Sequence, residues 1–309
     1  MKAPNRVIAA SANWSGMAEL YASNRTTFQE FYAADFWQQM LNRSCVKEVV
    51  HRSKSILDFG CGTGDYTSRL ASKFTNTVGV DISKNMIEHA RHIYPKIRFE
   101  VADFTQDSSI FSDKEFDLIF STMVLHWPGP NPQLLEALFR LLKPGGVLIA
   151  GLHGAKSCQE GVDAIEQVAS ETKNWNLVLD DLPTMFKRDS SAMWHSALSD
   201  TGFVHLNVAD RTLVTPYFTH TDCTKRLCAA WPPILTQSYL DSSEIPDFMQ
   251  LAATAMIDNY KKSKRNNDSS DDSSEHIFFP SKSTFDNDKK VPVAVMTSHL
   301  IEFSAHKPQ

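Results

Sequence analysis

Apolar residues between positions 54 and 153 follow two alternating rhythms. SILDF (55–59) is a short, nearly continuous apolar run that ends in glycines, and TVGVDI (77–82), IRFEV (97–101), DLIFS (117–121) and VLIAGL (147–152) repeat that pattern. Other stretches place apolar residues three and four apart: Tyr66, Leu70, Ala71 and Phe74; then Met86, Ile87, Ala90 and Ile93; then Leu134, Leu135, Leu138, Phe139 and Leu142. The first rhythm predicts buried strands and the second amphipathic helices. Ser83 can cap the second helix, and Asn131-Pro132 reads as the cap and first-turn proline of the third. Lys143-Pro144-Gly145-Gly146 stops that helix. Strands separated by single helices imply right-handed crossovers and a parallel sheet covered by helices on both faces.

The flanks are less regular. Phe28, Tyr32, Phe36 and Met40 lie four apart, which predicts an N-terminal amphipathic helix within 16–41. Two further helices are expected in 160–200, the second carrying Met193, Trp194, Ala197 and Leu198. FVHLNVADRTLVT (203–215) alternates like a strand, 222–262 reads as helix broken at Pro232-Pro233, and HLIEFSA (299–305) is a last strand returning antiparallel beside the earlier one. KSKRNNDSSDDSSE (262–275) is polar and low in complexity, so a disordered loop is expected over 262–290. The expected organisation is one domain over 1–309: an N-terminal helical cap at 1–50, a ligand-binding core at 51–155, and a helical cap with the last strands at 156–309.

Composition narrows the partners. The chain has 309 residues, 42% of them hydrophobic, with 31 Lys and Arg against 36 Asp and Glu for a net charge of −5. An acidic balance counts against nucleic acid or an anionic membrane surface as the main partner, since both need a basic face. No stretch of about 20 apolar residues is present to span a membrane. The five cysteines (45, 61, 158, 223 and 228) are scattered, odd in number and form no CxxC pair. That pattern fits a reducing cytosol, with neither a disulfide framework nor a structural zinc site. No His/Asp/Glu cluster at ligand spacing is evident, so no metal is expected.

The segment that carries chemistry is Asp58-Phe59-Gly60-Cys61-Gly62-Thr63-Gly64, set between a strand and a helix. Glycines there let the backbone approach a ligand, and the helix start offers free N–H groups. A phosphate could bind at such a turn, which is the nicotinamide-nucleotide reading. The spacing, however, is GxGxG and not GxGxxG. Asp58 also precedes the first glycine, where a carboxylate would repel a pyrophosphate and attract an ammonium or sulfonium group. Seventeen residues after Gly64, Asp81 ends the second strand and can accept from both hydroxyls of a ribose, with a helix cap as the minor alternative. After the third strand, Asp103 can accept from an adenine amine while Phe104 or Ile82 packs on the ring. These groups gather at the carboxyl ends of adjacent strands, where open α/β sheets bind ligands.

With these pieces in order, residues 54–153 resemble a class I S-adenosylmethionine-dependent methyltransferase: ILDFGCGTG, the acid of GVDIS, VADF, FDLIFS and LKPGG. The resemblance implies a Rossmann-like, seven-stranded, mostly parallel sheet with helices on both faces and an antiparallel edge strand. It also implies S-adenosyl-L-methionine as cofactor, held by Asp58, Gly60, Gly62, Gly64, Asp81, Ile82, Met86, Asp103, Phe104 and Ser121. LHW (125–127), the segment Leu20-Tyr21…Asn24…Phe28-Gln29 and the stretch 225–235 are similar to the juvenile-hormone-acid and trans-aconitate methyltransferase group. The longer N-terminus, the Tyr21-to-Gln29 spacing and the 262–290 insertion depart from it. By that resemblance Gln29, His126 and Trp127 would orient a small, lipophilic carboxylic acid. The chain would work as a monomer or homodimer in the cytoplasm.

A carboxylate acceptor suits the residues. It is ionised at neutral pH, its ordinary pKa being near ~4, and it needs desolvation and orientation instead of a base. Large apolar residues in both flanks, among them Phe31, Trp37, Trp175, Trp194, Trp231 and Phe248, could close a lid over such a substrate. Two other readings stay open: transfer to carbon or nitrogen of a small molecule, and a non-catalytic protein that only binds the cofactor.

Overall fold

The computed structural model describes residues 27–172, 175, 189–230, 240, 243–266 and 292–309. Seven strands form one sheet: β1 (Ser55–Phe59), β2 (Asn76–Asp81), β3 (Arg98–Val101), β4 (Phe116–Thr122), β5 (Leu142–His153), β6 (Val204–Tyr217) and β7 (Ala294–His306). Their order is β3-β2-β1-β4-β5-β7-β6. The first five pair in parallel. β7 runs antiparallel to both β5 and β6, so the reversed strand sits one place in from the edge.

Nine helices lie among the described residues: α1 (Thr27–Leu41), α2 (Ser44–Arg52), α3 (Asp65–Ala71), α4 (Lys84–Ile93), α5 (Pro132–Leu141), α6 (Gln159–Glu171), α7 (Ser191–Thr201), α8 (His220–Ala230) and α9 (Ile245–Asn266). Local chemistry sets their ends. Ser83 Oγ accepts from Met86 N at the start of α4, and Asn131 Oδ1 accepts from Leu134 N ahead of Pro132 in α5. Each bond satisfies a helix N–H that has no partner within the helix. The Lys307 ammonium donates to the carbonyls of Phe139 and Leu142 at 2.9 and 2.8 Å, closing the other end of α5.

Both faces of the sheet are buried. On one, Tyr32, Phe36, Trp37 and Met40 of α1 pack with Ile56, Leu118, Phe120 and Ile149. On the other, α5 and α7 bring Leu134, Leu138, Trp194 and Leu198 against Leu57, Ile119, Leu148 and Phe303. A third core joins α6, α8 and α9 to the ends of β6 and β7 through Ile165, Leu227, Phe248, Met256 and Met296. Trp194 was expected in a lid, but it stacks on Phe303 inside the sheet packing. Trp37 is likewise core, edge-on to Phe120. Trp175 packs edge-on to Phe248 of the third core. The first residues of the loop expected over 262–290 are instead helical, because α9 continues to Asn266. Residues 267–290, Pro232-Pro233 and the N-terminal segment before Thr27 lie outside the described residues.

Candidate active site

The turn after β1 is stitched to the end of β2. Gly60 N and Cys61 N both donate to Val80 O, at 2.7 and 3.0 Å. Gly62 N donates to Asp81 Oδ2 and Ser83 N to Asp81 Oδ1, each at 2.9 Å. One carboxylate thus ties the glycine turn to the start of α4 and still has lone pairs facing outward. Burial pushes the Asp81 carboxyl above its ordinary range, against the opposing pull of these N–H donors.

The three glycines have different neighbours. A side chain on Gly60 would strike Val124, and one on Gly64 would meet Phe99 Cζ at 2.7 Å and Ala90 Cβ at 3.0 Å. At Gly62, where φ is +53°, nothing lies within 4 Å, so that position faces open space. Gly60 and Gly62 line the cleft, whereas Gly64 packs the start of α3 onto β3 and α4.

The cleft lies at the carboxyl ends of β1, β2, β3 and β4. Asp81, Ile82 and Met86 form one wall, with Asp103, Phe104 and Thr105 below. Thr122, Met123, Val124, Trp127 and Pro128 form the far end, with Leu134 behind. Both oxygens of Asp103 accept local bonds, Oδ1 from Thr105 N and Oγ1 and Oδ2 from Gln106 Nε2, which leaves Oδ2 a lone pair for a further donor. Phe104 packs on Phe59 with ring centroids 5.2 Å apart.

Other expected site residues lie elsewhere. Asp58 does not line the cleft. Side chains alternate along β1, so Asp58 points with Ile56 toward α3 and accepts from Thr67 Oγ1 at 2.6 Å, while Phe59 takes the cleft side. Burial pushes the Asp58 carboxyl up to about 7, the Thr67 bond opposing and the nearby Asp81 charge adding to the rise. Ser121 is buried and donates to Phe59 O at 3.0 Å; the next residue, Thr122, lines the cleft instead. His126 is buried behind Trp127, its ring 5.3 Å from the indole and 5.1 Å from the His153 ring. Gln29 lies in the first turn of α1, and its side chain is outside what is described.

Sequence reasoning missed Phe59, Thr105, Met123 and Val124. Strand alternation could have placed Phe59. Met123 adopts a left-handed φ of 59°, and no residue-type signal announces that for a methionine.

This arrangement fits the adenosyl sulfonium cofactor. Gly62 leaves room for close approach, Asp81 presents acceptor oxygens at a strand end, and Ile82, Met86 and Phe104 form an apolar slot. Among the described residues, no group of three or more His, Cys, Asp and Glu is placed to hold a metal ion, and no helix is long and apolar enough to cross a membrane.

Residues 56–146 match a family described as a methyltransferase domain. A Variovorax paradoxus trans-aconitate 2-methyltransferase is 36% identical over 113 residues, covering 36% of this chain and 41% of that protein. A Serratia marcescens malonyl-[acyl-carrier protein] O-methyltransferase is 31% identical over 121 residues, 39% of this chain and 47% of that one. A Zea mays phosphoethanolamine N-methyltransferase is 32% identical over 164 residues, 52% of this chain and 30% of that one. The chain thus spans less than half the length of these relatives. The sheet, the glycine turn and these matches agree: over residues 56–146 this chain is similar to class I, S-adenosylmethionine-dependent methyltransferase domains.

Proposed function

We propose that this chain transfers a methyl group from S-adenosylmethionine to an oxygen of a small, largely apolar carboxylic acid, of the juvenile-hormone-acid kind. One observation carries the reading. The far end of the cleft is built from Met123, Val124, Trp127, Pro128 and Leu134, with the Trp127 indole and the Thr122 hydroxyl among its polar groups. Such a wall strips water from an acceptor and orients it. It suits a nucleophile that arrives already ionised, as a carboxylate does at neutral pH. The relatives named for trans-aconitate and for malonyl-[acyl-carrier protein] support an acid as acceptor.

In this reading Asp81 accepts from the ribose hydroxyls, Asp103 from the adenine amine, and Ile82, Met86 and Phe104 pack on the ring. Gly60 and Gly62 admit the rest of the cofactor, while Asp58, Gly64 and Ser121 hold the turn beneath it. Trp127 and Gln29 orient the acid, and His126 supports the indole. The bound cofactor supplies a methyl carbon activated by its positive sulfur. With it bound, Trp127 and Gln29 would hold the acid so that its carboxylate oxygen takes that methyl carbon, the electron pair of the carbon–sulfur bond staying with sulfur. No proton moves, so the residues contribute alignment and exclusion of water, worth up to roughly 7–11 kcal/mol in the best-oriented cases. The acid is the proposed partner, and the chain acts as a monomer or homodimer in the cytosol.

The Zea mays relative gives N-methylation of a small amine as the second reading. Both are tested by incubating the chain with labelled S-adenosylmethionine and a panel of fatty, isoprenoid and tricarboxylic acids and small amines. We expect base-labile methyl esters, formed fastest with the apolar acids. Label in base-stable products on nitrogen or carbon would overturn the carboxylate reading. Esters confined to tricarboxylic acids would overturn the apolar acceptor.

A further inference from the structure

We propose that Tyr32 is a positioning residue for the methyl-transfer cleft, acting on it through Gly151 and Met123. The inference rests on the methyl-transfer reading above and adds to it a residue of the N-terminal helix that never reaches the cleft.

Tyr32 lies in α1 and is completely buried. Its hydroxyl donates to Glu302 Oε1 at 3.1 Å. Glu302, on β7, is also buried and is paired with Arg211 of β6 at 3.1 Å. The same guanidinium reaches back to Asp35, one turn further along α1, at 2.7 Å. Two residues of α1 are therefore tied into one charged network between β6 and β7. An unpaired charge at such a depth is costly, so the network holds the helix at one height and rotation on the sheet.

That placement sets the Tyr32 hydroxyl on the space a side chain at Gly151 would occupy. Gly151 is near the end of β5 and pairs with Thr122 of β4. Its carbonyl accepts from Met123 N at 2.8 Å. Met123 is the first residue after β4, stands in the left-handed conformation at φ 59°, and lines the cleft. A methionine in that conformation is strained relative to a helical one, so something nearby must hold it. The continuous line of contact runs from Arg211 through Glu302, Tyr32 and the Gly151 backbone to Met123 on the cleft wall. The glycine at 151 is what lets the phenol come close enough to fix that backbone.

This predicts coupling between the seating of α1 and the acceptor end of the cleft, with the cofactor's Asp81 wall left alone. The test compares Tyr32→Phe, which keeps the ring that stacks on Phe36 with centroids 5.9 Å apart, with Gly151→Ala and Glu302→Gln. The first readout needs no acceptor: hydrogen exchange of the Met123 amide in the full chain. Exchange at Met123 should speed up at least tenfold in Tyr32→Phe and Gly151→Ala. Glu302→Gln keeps an oxygen for the phenol and should stay closer to the parent. The second readout is kinetics with the best acid from the panel above: kcat should fall at least fivefold and the acceptor KM should rise, while S-adenosylmethionine affinity by calorimetry stays within twofold.

Unchanged Met123 exchange in both variants would overturn the proposal. So would altered exchange with parental kcat and acceptor KM, or an equal loss of cofactor affinity, because each would mark Tyr32 as a packing residue only. A parent chain that binds S-adenosylmethionine but esterifies no acid overturns the acceptor reading alone; the Met123 exchange still decides the coupling.

Discussion

Gly60, Gly62 and Gly64 look equivalent in the string GCGTG, yet each meets something different in space. Gly62→Ala places a methyl group in open space inside the cleft, at a backbone angle that costs about 1 kcal/mol for a side-chain-bearing residue. It should abolish S-adenosylmethionine binding in calorimetry while lowering the melting temperature only slightly. Gly64→Ala drives a methyl group into Phe99 and Ala90 and should lower the melting temperature much more. Asp81→Ala removes the acceptor for Gly62 N and Ser83 N together with the proposed ribose contacts. At about 1.5–3 kcal/mol for each hydrogen bond to a charged group, cofactor affinity should fall at least tenfold; unchanged affinity would remove Asp81 from the site. Asp58 gives a pH signature. Burial raises its carboxyl to about 7, so the folded chain holds this proton more tightly than the unfolded chain, whose ordinary value is near ~4. Stability contributed at this site is therefore greatest below ~4, declines as pH rises toward about 7, and levels off above that. Thermal melts across that window should show the decline in the parent and lose this component in Asp58→Asn. A cationic cofactor above the turn favours the ionised carboxyl, so binding should tighten from about pH 6 to about pH 8, and this dependence too should be lost in Asp58→Asn. At this scale the sequence was legible for residue type and incomplete for direction. Asp58 and Ser121 were recognised as members of the motif, but strand alternation and register turn both away from the cleft and give their places to Phe59 and Thr122.

Secondary-structure elements were legible where one rhythm dominated. The first four expected strands match β1 to β4 to within one residue at each end, because buried parallel strands have no polar face to blur the run, whereas β5 starts at Leu142 and takes in the Lys143–Gly146 segment expected only as a helix stop. Ser83 and Asn131 cap where their spacing predicts. Apolar content could not tell a lid from a core. Trp194 and Phe248 are both large residues on amphipathic helices, but Trp194 packs beneath the sheet and Phe248 joins the helical cap. α9 outruns its apolar stripe, and its last turn, Lys262 to Asn266, is polar and reads as loop by composition, though Lys262, Lys264 and Arg265 have good helix propensity. Phe248→Ala should cost about 3–5 kcal/mol of stability by opening a cavity in the α6–α8–α9 core. Because that core is separate from the glycine turn, the variant should bind S-adenosylmethionine like the parent at temperatures where it remains folded. Loss of cofactor binding with the cap intact by circular dichroism would contradict the separation.

For the whole molecule, the sheet order brings motifs that are far apart in sequence to one edge. The turn after β1, the acid ending β2, the loop after β3 and the left-handed Met123 after β4 share one cleft because β1 lies between β2 and β4. The reversed β7 adds Glu302 and so joins the N-terminal helix to the same architecture. The most direct measurement is a calorimetric titration of the purified chain with S-adenosylmethionine and, separately, with NAD, repeated on Gly62→Ala. The account predicts saturable binding of S-adenosylmethionine by the parent, none by the variant, and no binding of NAD by either. A parent that binds NAD in preference to S-adenosylmethionine would contradict it.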